Sequence, residues 1–119
     1  MDQKGFNAFC DALPTTTYVC QWGGADVWKV VDKVFAMGRD NGDLFAITFK
    51  VTPEQFALMA DEPGLRGAPY LASRGMSWIQ HYARPGLADD ELKAYIAASH
   101  RLVAAGLSQK KQRAMGLLP

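Results

Sequence analysis

The stretch Asp40-Asn41-Gly42-Asp43-Leu44-Phe45-Ala46-Ile47-Thr48-Phe49-Lys50-Val51 decides the fold of this chain. Its Asn-Gly pair is typical of a tight turn between antiparallel strands. The residues after the turn alternate in polarity, so one face of the predicted strand carries Phe45, Ile47, Phe49 and Val51 and the other carries Ala46, Thr48 and Lys50. The stretch therefore predicts a hairpin with one face packed in a core and one wetter face.

Other strands are predicted on both sides of this one. β-branched and aromatic residues favour strands over 15–22 and 27–31, and Trp22-Gly23-Gly24-Ala25-Asp26 supplies the break between them. A turn at Asp32-Lys33 leads to a third strand over 34–38. Residues 44–51 complete an antiparallel meander, and residues 76–82 are predicted as the last strand.

Helices are predicted at both ends of the chain. Apolar residues recur at i, i+3, i+4 and i+7 over 2–13, where Pro14 stops the helix, and again over 89–105. Thr52-Pro53-Glu54-Gln55 predicts a short helix with a capping box. Residues 65–75, rich in Gly and Pro, are predicted to be irregular, and Ser108 opens a short basic segment that is predicted to be helical.

Composition limits the class of protein. The 119 residues, 49% hydrophobic and 21% charged, suit one globular domain over 1–119. No stretch has the roughly eighteen apolar residues of a membrane span, and the start lacks the features of a secretory signal, so a cytoplasmic location and no membrane partner are expected. Cys10 and Cys20 are expected to stay unpaired in a reducing compartment.

Several segments resemble the MmcQ/YjbR family in order and spacing. They are Phe9-Cys10-x-x-Leu13-Pro14, Val27-Trp28-Lys29-Val30-x-x-Lys33-x-Phe35-Ala36, Lys50, Pro69-Tyr70, Met76-Ser77-Trp78-Ile79, and Leu92 through Ser99-His100. The chain departs from the family pattern at Ser99-His100, where an aromatic more often follows the serine, and in the double glycine after Trp22.

This resemblance implies a frataxin-like (CyaY-like) α+β fold. A single antiparallel meander sheet would have the N-terminal and C-terminal helices packed on one face. The resemblance also implies a DNA-binding role through a "double wing" arrangement of loops. Both are expectations to be compared with the structure.

The sequence offers no support for catalysis, a metal or a cofactor. It contains no nucleophile elbow, phosphate-binding loop or paired-carboxylate motif. His81 and His100 lack neighbours at metal-ligand spacing. An iron site of the frataxin kind would need clustered acids, whereas the first helix offers only Asp2 and Asp11. The chain is therefore predicted not to be an enzyme, to use no cofactor and to bind no metal.

The first functional hypothesis is binding of DNA or another nucleic acid. Exposed aromatic rings can stack on bases, and ammonium or guanidinium groups can neutralise phosphates. The candidate residues are Lys29, Lys50, Arg66, Arg74, Trp78, Lys110 and Lys111. The alternative explanation is a solvated surface, because the net charge is only +1.

The second hypothesis is a small-ligand or protein-interaction module. Its pocket would lie between the 65–75 loop and the last long helix, and its candidate residues are Tyr70, Trp78, Ser99 and His100. The face that Trp78 takes depends on a strand register that the sequence does not fix. A monomer is compatible with the sequence, which leaves the oligomeric state open.

Overall fold

Six antiparallel strands form one sheet in the computed structural model, which describes residues 1–116. The predicted domain extends to Pro119, so its residues 117–119 lie outside the described part. The strand order is β1-β2-β3-β4-β6-β5. The strands are β1 (Thr16–Gln21), β2 (Ala25–Val30), β3 (Lys33–Asp40), β4 (Phe45–Lys50), β5 (Leu65–Gly67) and β6 (Trp78–His81).

The helices begin and end where the sequence signals place them. They are α1 (Gln3–Ala12), α2 (Pro53–Met59), α3 (Asp89–Ala105) and α4 (Gln109–Ala114), with a 3₁₀ turn over Ala72–Arg74. The predicted capping box of α2 is present: Thr52 accepts from the Gln55 backbone N–H, and Gln55 accepts from that of Thr52. These bonds satisfy N–H groups that lack a partner within the helix.

One face of the sheet is packed against α1 and α3. The apolar side of each helix meets the strand residues that alternate toward it, and Phe6, Phe35, Phe49, Ile79 and Ile96 are fully buried there. Burying one such side chain contributes about 1.5–3 kcal/mol, so this layer supplies the main stabilisation of the fold. The predicted α+β class, with terminal helices on one face of an antiparallel sheet, is confirmed.

The β3–β4 hairpin forms at the predicted Asn-Gly pair. Asp40 and Phe45 are the last paired residues, and the Asn41 N–H donates to the Leu44 carbonyl at 3.1 Å. Gly42 has a φ of 98°, a backbone conformation that a residue without Cβ adopts at little cost. This turn places Ile47 and Phe49 in the core.

The prediction of an irregular segment over 65–75 was wrong at its start. Leu65–Gly67 is strand β5, which pairs with β6 and forms the edge of the sheet beyond it. Three residues are too few to give a readable alternation of polarity. The pairing matters for function, because it fixes Arg66 opposite Gln80.

Candidate functional site

The sheet face opposite α1 and α3, called the open face below, is read from the strand registers. Thr48 on the open face pairs with Met37 on one side and Gln80 on the other, and Gln80 pairs with Arg66. Side chains two residues along each strand share the same face. By this rule the charged strand residues of the open face are Lys29, Arg39, Lys50 and Arg66.

The summed charge of the strand residues differs in sign between the two sides of the sheet. All four charged strand residues of the open face are cationic, whereas those of the helix-covered face are Asp26, Lys33 and Asp40. Within residues 1–116 none of the open-face cations forms a salt bridge, since the recorded ion pairs join Met1 to Asp89 and Lys111 to Asp32. A net charge of +1 therefore conceals a locally positive face.

A groove of about 610 Å³ lies on this face. Met37, Ala46, Thr48 and Gln80 are among the residues that line it, and Ala68 to Leu71 form one of its rims. Most of these side chains are apolar. The open face thus has an apolar depression with Arg39 in its lining, and Lys29, Lys50 and Arg66 lie elsewhere on the same face.

Two exposed aromatic side chains belong to the groove lining. Trp22 lies in the β1–β2 turn and is 56% exposed, and Tyr70 lies after β5 and is 86% exposed. Both have left-handed backbone conformations, with φ of 54° and 68°. Such conformations cost about 1–3 kcal/mol in a residue other than glycine and occur often at ligand-binding sites.

Each aromatic residue is held by a neighbouring side chain. The Arg39 guanidinium donates to the carbonyls of Trp22 and Gly23 and ties the β1–β2 turn to β3. The Ser73 hydroxyl donates to the Tyr70 carbonyl at 2.8 Å. The turns that carry both rings are therefore fixed even though the rings are exposed.

The fold brings only some of the predicted cationic residues to the open face. Lys29 and Lys50 lie on the open face, two residues beyond the row of Thr48, or about 7 Å along the strands at the usual rise. Arg66 lies on β5, and the 3₁₀ turn that carries Arg74 follows the Tyr70 rim. Lys110 and Lys111 lie instead on α4, and the Lys111 ammonium pairs with Asp32 at 3.0 Å.

The prediction of Trp78 as a stacking platform was wrong. Trp78 does alternate onto the open face opposite Lys50, but only 6% of it is exposed. The ring is therefore covered by surrounding residues, and the chain is close to it on both sides: the Ala68 N–H donates to the Trp78 carbonyl at 2.9 Å, and the Trp78 N–H donates to the Met76 carbonyl at 3.0 Å. A base cannot stack on a ring that is covered in this way.

The predicted pocket of Tyr70, Trp78, Ser99 and His100 was also wrong. Ser99 and His100 are buried on α3, behind the helix-covered face, whereas Tyr70 lies at the rim of the groove on the open face. The Ser99 hydroxyl accepts from the Lys50 N–H and donates to the Phe35 carbonyl. His100 bonds through Nε2 to the Pro14 carbonyl at 2.8 Å. Both side chains join elements of the fold.

The part of the chain that the structure describes has neither a metal-binding cluster nor a membrane-spanning helix. Among residues 1–116, no group of three or more His, Cys, Asp or Glu side chains is arranged to hold a metal ion. Nor does any helix of that range have the length and apolar character needed to span a membrane.

Sequence reasoning missed the contribution of Trp22 and Arg39. Trp22 was assigned to the break between two predicted strands, and Arg39 lies just beyond the predicted end of the third strand. The signal for Trp22 was the double glycine that follows it, since two flexible residues allow a tight turn that projects the ring outward. No local sequence pattern indicates that the Arg39 side chain reaches the β1–β2 turn.

Comparisons with known proteins agree with the fold. The crystal structure of Deinococcus radiodurans protein DR2400, which has a DUF419 domain, superimposes with a TM-score of 0.82 at 20% sequence identity. The match covers 98% of this chain and 89% of that one. No curated protein matches the sequence. The model of the YjbR family matches residues 11–102, most of the length of the chain, and the chain therefore belongs to the YjbR family.

Proposed function

We propose that this chain is a non-catalytic module that binds single-stranded nucleic acid on the open face of its sheet. The observation that carries the proposal is the segregation of charge: the charged strand residues of that face are Lys29, Arg39, Lys50 and Arg66, and Arg39 also lines the groove. A surface with this charge attracts a polyanion, and neutralising each phosphate releases bound counterions.

The groove explains why the proposed ligand is single-stranded. Trp22 and Tyr70 offer ring faces on which an unpaired base can stack, and such stacking is worth about 1–3 kcal/mol per base. The bases of a duplex are stacked on one another and cannot enter a groove without being flipped out. Exposed aromatic rings beside a cationic sheet therefore favour a single strand over a duplex.

A planar small molecule is the second candidate ligand. The apolar lining of Met37, Ala46 and Leu71 favours it, because ligand pockets are mostly apolar with a few polar groups. An uncharged ligand of this kind would use the groove but not Lys29, Lys50 and Arg66, which lie outside its lining. Its binding would accordingly be insensitive to salt.

Titration by fluorescence anisotropy tests the proposal. Labelled single-stranded DNA, single-stranded RNA and duplex DNA are compared with free nucleosides at increasing salt. We expect the single strands to bind best, with log K falling by about 0.7 per phosphate contact for each unit of log salt concentration. Absence of oligonucleotide binding at low salt would refute the proposal, and salt-independent binding of nucleosides alone would favour the small-molecule candidate.

A pair of charge reversals locates the interface. Lys50→Glu changes the charge of the open face, whereas Lys33→Glu makes the same change on the opposite face of the sheet. Lys50→Glu is expected to weaken binding and reduce the salt slope by at least about 0.7, and Lys33→Glu to change neither much. Equal losses in both variants would mean that binding follows net charge and not this face.

A further inference from the structure

The two edge strands of the sheet differ in their protection against pairing with another chain. β5 has three residues, one of them Arg66, and Pro69 follows two positions after its end. Short length, charge and proline are features that keep an edge strand from pairing. β1 has six residues, none of them charged and none of them proline, and it pairs with β2 without a bulge. The β1 edge therefore lacks these protections.

The backbone groups that β1 turns away from the sheet follow from its register. A two-residue turn joins β2 to β3, so Val30 and Lys33, which flank this turn, form a hydrogen-bonded pair. Val30 thus directs its backbone groups toward β3, and Thr16, its partner on the other side, turns its own groups outward. Because the two kinds of pair alternate along an antiparallel ladder, the outward-facing residues of β1 are Thr16, Tyr18 and Cys20. Within residues 1–116, nothing bonds to their outward N–H and C=O groups.

Tyr18 gives this edge an aromatic side chain that is both exposed and fixed. Its hydroxyl donates to the Asp26 carboxylate at 2.6 Å, and its ring packs against Trp28 with the ring centroids 5.3 Å apart. The residue is nevertheless 49% exposed. Rigid aromatic residues contribute strongly to protein interfaces, because they offer a large contact area and lose little conformational entropy on binding. The edge thus combines outward-facing backbone groups with a preorganised aromatic ring.

We propose that β1 pairs antiparallel with β1 of a second copy of this chain, about a two-fold axis at Tyr18. The outward-facing residues Thr16, Tyr18 and Cys20 are evenly spaced about Tyr18, so a two-fold axis there maps the set onto itself and gives each outward backbone group a partner. Since β1 carries no charge, the two edges meet without like charges opposite each other. The protected β5 edge ends the assembly at a dimer.

This pairing joins the open faces of the two copies into one surface. Thr17 and Val19 lie on the open face together with Lys29, the partner of Thr17 on β2. Three strand spacings, or about 14 Å, separate β2 from β2 of the second copy. The Debye length is about 8 Å at physiological ionic strength and about 30 Å at about 0.01 M salt. The two Lys29 side chains therefore repel each other only at low salt, and added salt should favour the dimer.

Sedimentation velocity over a range of protein concentrations, in reducing buffer, tests the interface. Thr17→Lys brings two added ammonium groups within about 8 Å of each other across the dimer, as judged from the Cα positions. Cys20→Pro removes an outward N–H that β2 does not use, and proline is tolerated at such a position of an edge strand. Each substitution should raise the dissociation constant of the dimer by roughly tenfold or more. Leu58→Lys adds the same charge on α2 and should leave the constant unchanged.

Disulfide cross-linking tests the register. With the axis at Tyr18, Thr17 of one copy lies opposite Val19 of the other at a Cα separation of about 4.5 Å, which suits a disulfide. Two variants are prepared in a Cys20→Ser background, one with Thr17→Cys and one with Val19→Cys. Their mixture should cross-link under mild oxidation. Neither variant alone should do so, because its own two cysteines lie about 8 Å apart.

The outcomes decide the proposal without any nucleic acid present. A dimer that Thr17→Lys and Cys20→Pro weaken and Leu58→Lys does not, together with cross-linking in the mixture, supports it. A wild-type chain that stays monomeric up to about 1 mM overturns it, as does a dimer that the edge substitutions leave unchanged. Cross-linking of the Val19→Cys variant with itself places the axis at Val19 and overturns the register. None of these results bears on oligonucleotide binding, so the proposed function is tested separately.

Discussion

Trp22 and Tyr70 show how individual residues of the groove depart from what stability alone would favour. Among residues 1–116, four residues other than glycine have positive φ, and two of them are these exposed aromatics. A residue with a Cβ is strained in this conformation, and a large exposed apolar ring contributes little to the core. Their presence is more readily explained by contact with a ligand than by folding.

Tyr70→Gly should therefore separate stability from binding. Glycine adopts a φ of 68° without strain, and the relief of strain opposes the larger entropy that glycine gives to the unfolded chain. We expect the free energy of unfolding to stay the same or rise by up to about 1 kcal/mol. Affinity for single-stranded nucleic acid should fall by about 1–3 kcal/mol as the stacking ring is lost. Urea unfolding and anisotropy titration measure the two effects.

The matched comparison for this substitution is Leu58→Gly. Leu58 is also an exposed hydrophobic residue, but it lies within α2. Leu58 is the last residue but one of this helix, and glycine in a helical backbone costs up to about 0.5–1 kcal/mol, so this variant should lose some stability and keep its affinity. If both variants lost the same stability, strain at Tyr70 would not be the explanation.

At the scale of elements, a β-bulge in β3 forms the place where a side chain of α3 bonds to the sheet. The register between β2 and β3 shifts after Trp28, so Val34, Phe35 and Ala36 oppose Trp28 and Lys29. The bulge turns both Phe35 and Ala36 toward the core, where they are fully buried, and interrupts the ladder beside Phe35. At this interruption the Ser99 hydroxyl bonds to the Phe35 carbonyl of β3 and to the N–H of Lys50 at the end of β4.

Ser99→Ala should destabilise the chain much more than its small change in volume suggests. The hydroxyl accepts from the Lys50 N–H at 2.8 Å and donates to the Phe35 carbonyl at 2.7 Å. Alanine would leave both backbone groups buried without a partner, which we expect to cost about 2–3 kcal/mol in urea unfolding. Ser77→Ala, which removes a hydroxyl that bonds to no other residue of 1–116, is the control and should cost less than about 0.5 kcal/mol. If both variants lost the same free energy of unfolding, the two hydrogen bonds of Ser99 would not contribute to stability.

These elements also show what could be predicted from the sequence. The meander and the faces of Thr48 and Lys50 followed from the turn at Asn41-Gly42 and from alternation, which are local signals. Neither the face nor the burial of Trp78 did, because the face depends on the register of β6 against β4 and the burial depends on how distant parts of the chain pack there. The role of Ser99 depends on a bulge 64 residues away in sequence, which leaves no local pattern.

At the scale of the whole molecule, the positions of the charged residues indicate a positive surface, whereas the net charge does not. Thirteen basic and twelve acidic residues gave no reason to expect a positive surface. Strand alternation nevertheless collects Lys29, Arg39, Lys50 and Arg66 on one face, and composition cannot show this because it carries no information on register. The candidate binding site was thus predictable only in part, through Lys29, Lys50, Arg66 and Tyr70.

The stability of the whole molecule should also depend on pH through His81. This residue is 7% exposed, and neither of its ring nitrogens has a hydrogen-bond partner among residues 1–116. Gly86 packs so closely against His81 that a Cβ added to the glycine would overlap the imidazole ring. The charged groups that affect the pKa of His81 are the N-terminal ammonium, Asp89 and Arg84. Burial and the ammonium group lower the pKa of His81, while Asp89 opposes them.

The sign of this dependence follows from where the proton binds. In the unfolded chain histidine titrates near about 6.5, and in the folded chain the pKa of His81 lies lower. As the pH falls through about 6.5 the unfolded state takes up the proton first, so the free energy of unfolding decreases until the folded pKa is passed. Urea unfolding from about pH 8 to pH 5 should show this loss, and His81→Leu should reduce it by removing the titrating group. A wild-type profile that stayed flat, or one that the substitution left unchanged, would show that His81 does not control the acid sensitivity of the fold.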